Sequence, residues 1–149
     1  MWPTANASFV DTNVLVYSAD PDAGAKHDAA LALLELLRDS GSLVVSVQVL
    51  NEFYSVATRP MKPPALSHTV ASEMVYLLAS AATVVPLTAS LTFLALDAMP
   101  NYGFSFWDAL IWAAAREAGA TVLYSEDFQN DRTVEGVRFI DPFVAASQS

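Results

Sequence analysis

Ser8-Phe9-Val10-Asp11-Thr12-Asn13-Val14-Leu15-Val16-Tyr17-Ser18 sets the reading of the whole chain. The short apolar run Ser8–Val10 ends at Asp11, and a helix is expected to open at Thr12 and run to about Ser18. The same strand-then-helix unit recurs. Leu43-Val44-Val45 reads as a second buried strand, Ser46 as the cap of a helix to about Arg59, and Pro60 as its stop. Between these units, Lys26–Arg38 places Ala30, Leu33, Leu34 and Leu37 at i, i+3, i+4 and i+7, and Gly41 closes that helix. Ser67–Ser80, Thr88–Ala98 and Ser105–Ala118 read as further helices, with a turn at Pro100–Gly103. Thr83–Leu87, Thr121–Tyr124 and Val137–Ile140 read as strands, the last two separated by a polar loop. Short apolar strands alternating with helices predict an α/β fold: a mainly parallel sheet of about five strands, flanked by helices.

The chain has 149 residues, the size of one domain, so residues 1–149 are expected to fold as a single unit. Hydrophobic residues make up 54%, enough for a sizeable core, and exclude a disordered chain. Charged residues make up only 15%, and 7 Lys and Arg against 16 Asp and Glu leave a net charge of −9. That balance argues against a nucleic-acid partner, because phosphate binding needs local positive charge. No cysteine is present, which excludes disulfide scaffolds, thiolate zinc sites and a Cys nucleophile. The greasiest window, Met74–Leu87, is shorter than a bilayer span and contains Pro86. The N-terminal stretch Met1–Ser8 has no basic region of the secretory type, so a soluble cytoplasmic protein is expected.

In parallel sheets, ligands bind outside the carboxyl ends of the strands, and this chain puts acids there. Asp11 directly follows Phe9-Val10, and Glu126-Asp127 follow Val122–Ser125. A helix N-cap accounts equally well for Asp11 taken alone. Glu52 lies beside Val49 and Val56, away from Asn51 and Ser55, and so borders the apolar side of its helix. Asp108 has a competing explanation, because Ser105-Phe106-Trp107-Asp108 has the spacing of a capping box. Yet its helix continues as Ala109–Ala115, apolar on every side, and a carboxylate at the mouth of a buried helix is costly without a cation. Four carboxylates at one end of a sheet repel each other unless a divalent cation lies among them. Oxygen donors without Cys or His suit Mg²⁺ or Mn²⁺, one or two ions, and point to metal-dependent phosphodiester hydrolysis.

Four segments then resemble the acidic motifs of PIN-domain ribonucleases. They are Phe9–Tyr17, Asn51-Glu52-Phe53, Phe106-Trp107-Asp108-Ala109-Leu110-Ile111 and Leu123-Tyr124-Ser125-Glu126-Asp127-Phe128. Their order and spacing are similar to those of VapC toxins of VapBC toxin–antitoxin pairs, over nearly the whole chain to Phe143. The resemblance implies Asp11, Glu52, Asp108 and Asp127 as catalytic, metal-binding acids, with Asn13 and Ser125 as polar supports. It also implies a single PIN domain, single-stranded or loop RNA as substrate, a homodimer, and a small VapB-type antitoxin. Either Glu126 or Asp127 could face the metal, and the motif favours Asp127.

Arg59, Lys62 and Arg132, with Arg116 and Arg138, are the candidate phosphate contacts. Phe104, Phe106, Trp107 and Trp112 read as core around a buried helix rather than as base-stacking groups, and His27 and His68 as surface imidazoles. Zinc-hydrolase spacings of His are absent. Asn13 stands where a haloacid-dehalogenase-type phosphotransferase needs a second Asp, and no Lys follows Lys62 to serve a receiver domain. A non-catalytic acidic α/β module that binds a partner protein, its carboxylates acting as caps, remains the contrasting reading. So does a PIN nuclease outside toxin–antitoxin systems.

Overall fold

The computed structural model describes residues 7–144. The expectation that no secretory leader is present rests mostly on residues 1–6, which lie outside that range. The elements follow in the order β1 (Ser8–Val10), α1 (Thr12–Ser18), α2 (Ala25–Asp39), β2 (Leu43–Ser46), α3 (Val47–Ala57), α4 (His68–Ala81) and β3 (Thr83–Val85). Then come α5 (Ala89–Tyr102), α6 (Phe106–Glu117), β4 (Val122–Tyr124), β5 (Thr133–Val134) and β6 (Val137–Ile140).

One sheet has the order β3-β2-β1-β4-β6-β5. All pairs are parallel except β5 with β6. The register sets Phe9 beside both Val44 and Leu123, and Leu123 beside Phe139, so one apolar row crosses the middle of the sheet. Helix α6 packs on β2, β4 and β6 and is covered in turn by α5. That double contact is why Ala109–Ala115 are all buried and why small residues suit the helix. Trp112 is fully buried, and its indole N–H donates to the Val134 carbonyl at 3.3 Å, which satisfies its polar atom inside the core.

Two features depart from the sequence reading. The turn expected at Pro100–Gly103 is the last turn of α5, which runs on to Tyr102. Proline is tolerated there because the carbonyl it leaves unbonded belongs to the half-exposed Leu96, and Gly103, at φ 75°, closes the helix through its N–H to Met99 O. The polar loop before Val137 contains a sixth, two-residue strand. Glu135 (φ 48°) and Gly136 (φ 84°) both take the left-handed conformation of a tight hairpin, which pairs Val134 with Val137. Among the described residues no helix is long and apolar enough to cross a membrane.

Candidate active site

Strand β1 is flanked by β2 on one side and β4 on the other, so successive connections leave it in opposite directions. The crevice at the carboxyl ends of β1 and β4 is therefore the switch point where open α/β sheets bind ligands. Asp11 stands there, 4% exposed, as the N-cap of α1. Its Oδ1 accepts from the Thr12 amide at 2.7 Å, and its Oδ2 accepts from Ser125 Oγ at 2.7 Å and Asn13 Nδ2 at 3.5 Å. All three donors are neutral. Burial pushes the Asp11 carboxyl up from 3.8 to about 7; the bonds from Ser125 and Thr12 oppose the rise, and the charges of Asp127 and Glu52 add to it. Asp11 is thus at once the cap of α1 and a buried acid.

Asn13 and Ser125 tie the next acid to this one. Asn13 Nδ2 is 3.2 Å from Asp127 Oδ2 and 3.1 Å from Ser125 Oγ, while its Oδ1 accepts from the Glu126 amide at 3.3 Å. That last bond fixes the amide with its NH₂ toward the acids. The Ser125 hydroxyl donates to Asp11 and accepts from Asn13 and from the Asp127 amide at 3.0 Å, so its full capacity is used. Glu126 faces elsewhere. It accepts from Tyr17 Oη at 2.8 Å and from Lys26 Nζ at 3.1 Å, and Lys26 also lies 4.9 Å from the Tyr17 ring centre. The Lys26 ammonium is pushed up chiefly by its bond to Glu126.

The other two acids come from helices. Glu52 on α3 accepts from Thr12 Oγ1 at 3.1 Å through Oε2 and from Gln48 Nε2 at 2.8 Å through Oε1. Asp108 lies in the first turn of α6, where its amide donates to Ser105 Oγ at 3.3 Å, the cap that the spacing predicts. Burial raises the Asp108 carboxyl, a bond with Ser105 opposes the rise, and the charges of Asp127 and Glu52 add to it. The same two charges act on Asp11 and on Asp108, so the four acids share one electrostatic field.

Among the described residues no three Asp, Glu or His side chains are grouped to hold an ion by themselves. The cationic candidates are scattered. Arg116 pairs with Glu135 at 3.3 Å and Arg138 with Asp131 at 2.7 Å. Arg132 is committed internally, donating to Tyr102 O at 3.1 Å with its guanidinium over the Phe104 ring. Arg59 and Lys62 are exposed, in or next to a loop that lies against the turn at Ala19–Asp22, and the structure does not bring either onto the carboxylates. Trp107 corrects the core reading: it is 64% exposed, because it projects from the first turn of α6, while Trp112 on the same helix is buried.

A family model described as the PIN domain matches residues 8–135. The chain belongs to the PIN-domain family. Solved structures similar to this PIN domain include VapC20 of Mycobacterium tuberculosis, a sarcin–ricin-loop-cleaving toxin. It is 25% identical, with a TM-score of 0.62 over 84% of this chain and 92% of that one. A toxin–antitoxin complex from Klebsiella pneumoniae is 17% identical, with a TM-score of 0.64 over 91% of this chain and 98% of that one. VapBC2 from Rickettsia felis, bound to a DNA fragment from its promoter, is 19% identical, with a TM-score of 0.61 over 89% and 96%. No curated protein matches the sequence.

Two residues of the PIN domain's acidic cleft are not singled out by the sequence reading. Thr12 and Gln48, 8% and 6% exposed, hold the two oxygens of Glu52. Gln48 carried a readable signal, since it precedes Glu52 by one helical turn and an i, i+4 pair shares a helix face.

Proposed function

We propose that this PIN domain is a metal-dependent endoribonuclease that hydrolyses RNA phosphodiester bonds and serves as the toxin of a toxin–antitoxin pair. The observation that carries the reading is Asp11: a buried carboxylate at the sheet's switch point, held only by neutral donors, with Asp127 linked to it through one amide. A buried anion with no cationic side chain on it is compensated by a proton or by a metal ion. The donors are all oxygen, which fits Mg²⁺ or Mn²⁺, hard ions that rest on one or two carboxylates and complete their sphere with water. Asp11, Asp108 and Asp127 would hold one or two such ions, with Glu52 as a further ligand or as the base. When bound, the ion supplies positive charge at the phosphate and eases deprotonation of water.

The chain's own residues do the remaining work. Ser125, Asn13 and the Thr12 amide keep Asp11 and Asp127 at a fixed spacing. Glu52, oriented from both sides, is set to accept the proton of the attacking water or to ligate the ion. Arg59 and Lys62, exposed and without an ion pair among the described residues, are the proposed phosphate contacts. Arg132 serves the fold instead. Replacing Arg59 and Lys62 together with Ala raises KM for RNA roughly 3- to 10-fold with kcat unchanged, and less so as salt rises. Equal KM for variant and wild type at low salt removes them from the RNA path.

The similar solved structures include toxin–antitoxin assemblies, and on that ground a small VapB-type antitoxin is proposed as partner. A homodimer is proposed from the resemblance of the motifs to VapC toxins. The net charge of −9 suits a partner that presents basic side chains to the cleft. The roles of the paired acids after β4 supply the test. Asp127→Asn abolishes cleavage of RNA in Mg²⁺, while Glu126→Gln keeps it within a few-fold, because Glu126 is turned to Lys26 and Tyr17. The reverse ranking of the two variants overturns the assignment.

A further inference from the structure

A chain of hydrogen bonds runs from one proposed ligand to another through residues that have no metal to bind. Thr12, the neighbour of Asp11, donates to Glu52 Oε2 at 3.1 Å. Gln48 donates to Glu52 Oε1 at 2.8 Å and, from the same Nε2, to the carbonyl of Trp107 at 3.4 Å. Trp107 is the neighbour of Asp108. We infer that Gln48 is a positioning residue that sets the Glu52 carboxylate and the first turn of α6, and with it Asp108, at one spacing across the cleft. The inference rests on the reading of these acids as a metal centre.

The chemistry of the amide explains the choice of residue. Glu52 and the Trp107 carbonyl are both acceptors, and joining them requires one group with two N–H bonds. The bond to a carboxylate also fixes which way the amide faces, because its oxygen would be repelled there. A Lys at this position would donate equally well but would pair with Glu52 and cancel its charge. Gln leaves that charge free to act on an ion. The side chain is 6% exposed, so water is a poor substitute for it. Both oxygens of Glu52 are held by neutral donors from two different helices, which locks the carboxylate plane.

The test uses the full chain with Gln48→Met, which keeps length and volume but has no donor. Mn²⁺ binding is read by the paramagnetic resonance of the free ion, alongside metal-free Tm and steady-state cleavage of RNA. Gln48→Met is expected to weaken Mn²⁺ binding about tenfold. It lowers kcat with KM for RNA unchanged, and metal-free Tm falls by several degrees, because two acceptors lose their donor. Gln48→Asn, whose shorter amide cannot span both acceptors, gives the same loss and carries the test if the Met variant does not fold. A folded Gln48→Met or Gln48→Asn protein that binds Mn²⁺ with wild-type affinity overturns the inference and leaves the metal reading intact. If the wild-type protein binds no Mn²⁺, the metal reading falls and takes the inference with it.

Discussion

Asp11→Asn removes RNA cleavage, by at least about a thousandfold, and makes the metal-free protein more stable at pH 8. Loss of activity with a gain in stability is the signature of an acid kept for chemistry against the interest of the fold. The sign follows from burial. The carboxyl is raised from 3.8 to about 7 in the folded chain, so between those values the folded state holds a proton that the unfolded state has released. Stability contributed by this group is therefore full below about pH 4 and is lost as pH rises to about 7. The size of the shift corresponds to about 4 kcal/mol once the group is ionised. Asn carries no charge to bury. Part of the gain is lost because its NH₂ takes the place of the oxygen that accepts from Ser125 Oγ at 2.7 Å and from Asn13 Nδ2 at 3.5 Å. A net gain of several degrees in Tm at pH 8, shrinking toward pH 5, is expected for a domain of this size. A variant that cleaves RNA at the wild-type rate, or one less stable than wild type at pH 8, contradicts the role given to Asp11.

The second large effect is stabilisation by metal, and its dependence on pH. An ion at Asp11 must displace the proton that burial favours, so below about pH 7 its affinity weakens by roughly tenfold per pH unit. Above pH 7 it levels off. Mn²⁺ at about one hundred times its Kd stabilises the folded state by about 2.7 kcal/mol. Thermal melts with and without millimolar Mn²⁺ should show a clear upward shift in Tm at pH 8, a smaller one at pH 6, and none in Asp11→Asn. A shift of equal size at both pH values would place the ion away from Asp11. No shift at any pH would argue for the acids as caps on a partner-binding module.

Much of this architecture was legible in the sequence because local signals agreed with the global pattern. Ser8–Val10 and Thr121–Tyr124 read as strands that deliver acids because both are short and apolar and an acid follows each within three residues. The spacing of Ser105 and Asp108 gave the cap that the structure shows. The misses have a common cause, in that each depended on a contact distant in sequence or on a terminal turn. The length of α5 past Pro100 is settled by solvent at Leu96 and by Gly103. The hairpin at Glu135-Gly136 brings the two-residue β5 onto β6, and its Val134 carbonyl takes the indole N–H of Trp112. Trp107 lies outside the core because the helix axis turns it away, which periodicity over an all-apolar helix cannot reveal. The choice between Glu126 and Asp127 was open in the sequence, because adjacent residues in a turn have no fixed periodicity. The structure turns Glu126 to Tyr17 and Lys26, one hundred or more residues earlier in the chain, and the proposal of Asp127 rests on that.

The acidity that first counted against a nucleic-acid partner now has a location. Four of the 16 acids lie at or around the switch point, and two divalent ions there would reduce the formal charge from −9 to −5. The most direct measurement is digestion of total cellular RNA by the purified protein in Mg²⁺ and in EDTA, with the cleavage ends mapped. Discrete fragments in Mg²⁺ that vanish in EDTA, return with excess Mg²⁺ and are absent with Asp11→Asn are the expected result. RNA left intact in Mg²⁺, or cut equally well in EDTA, would contradict the account.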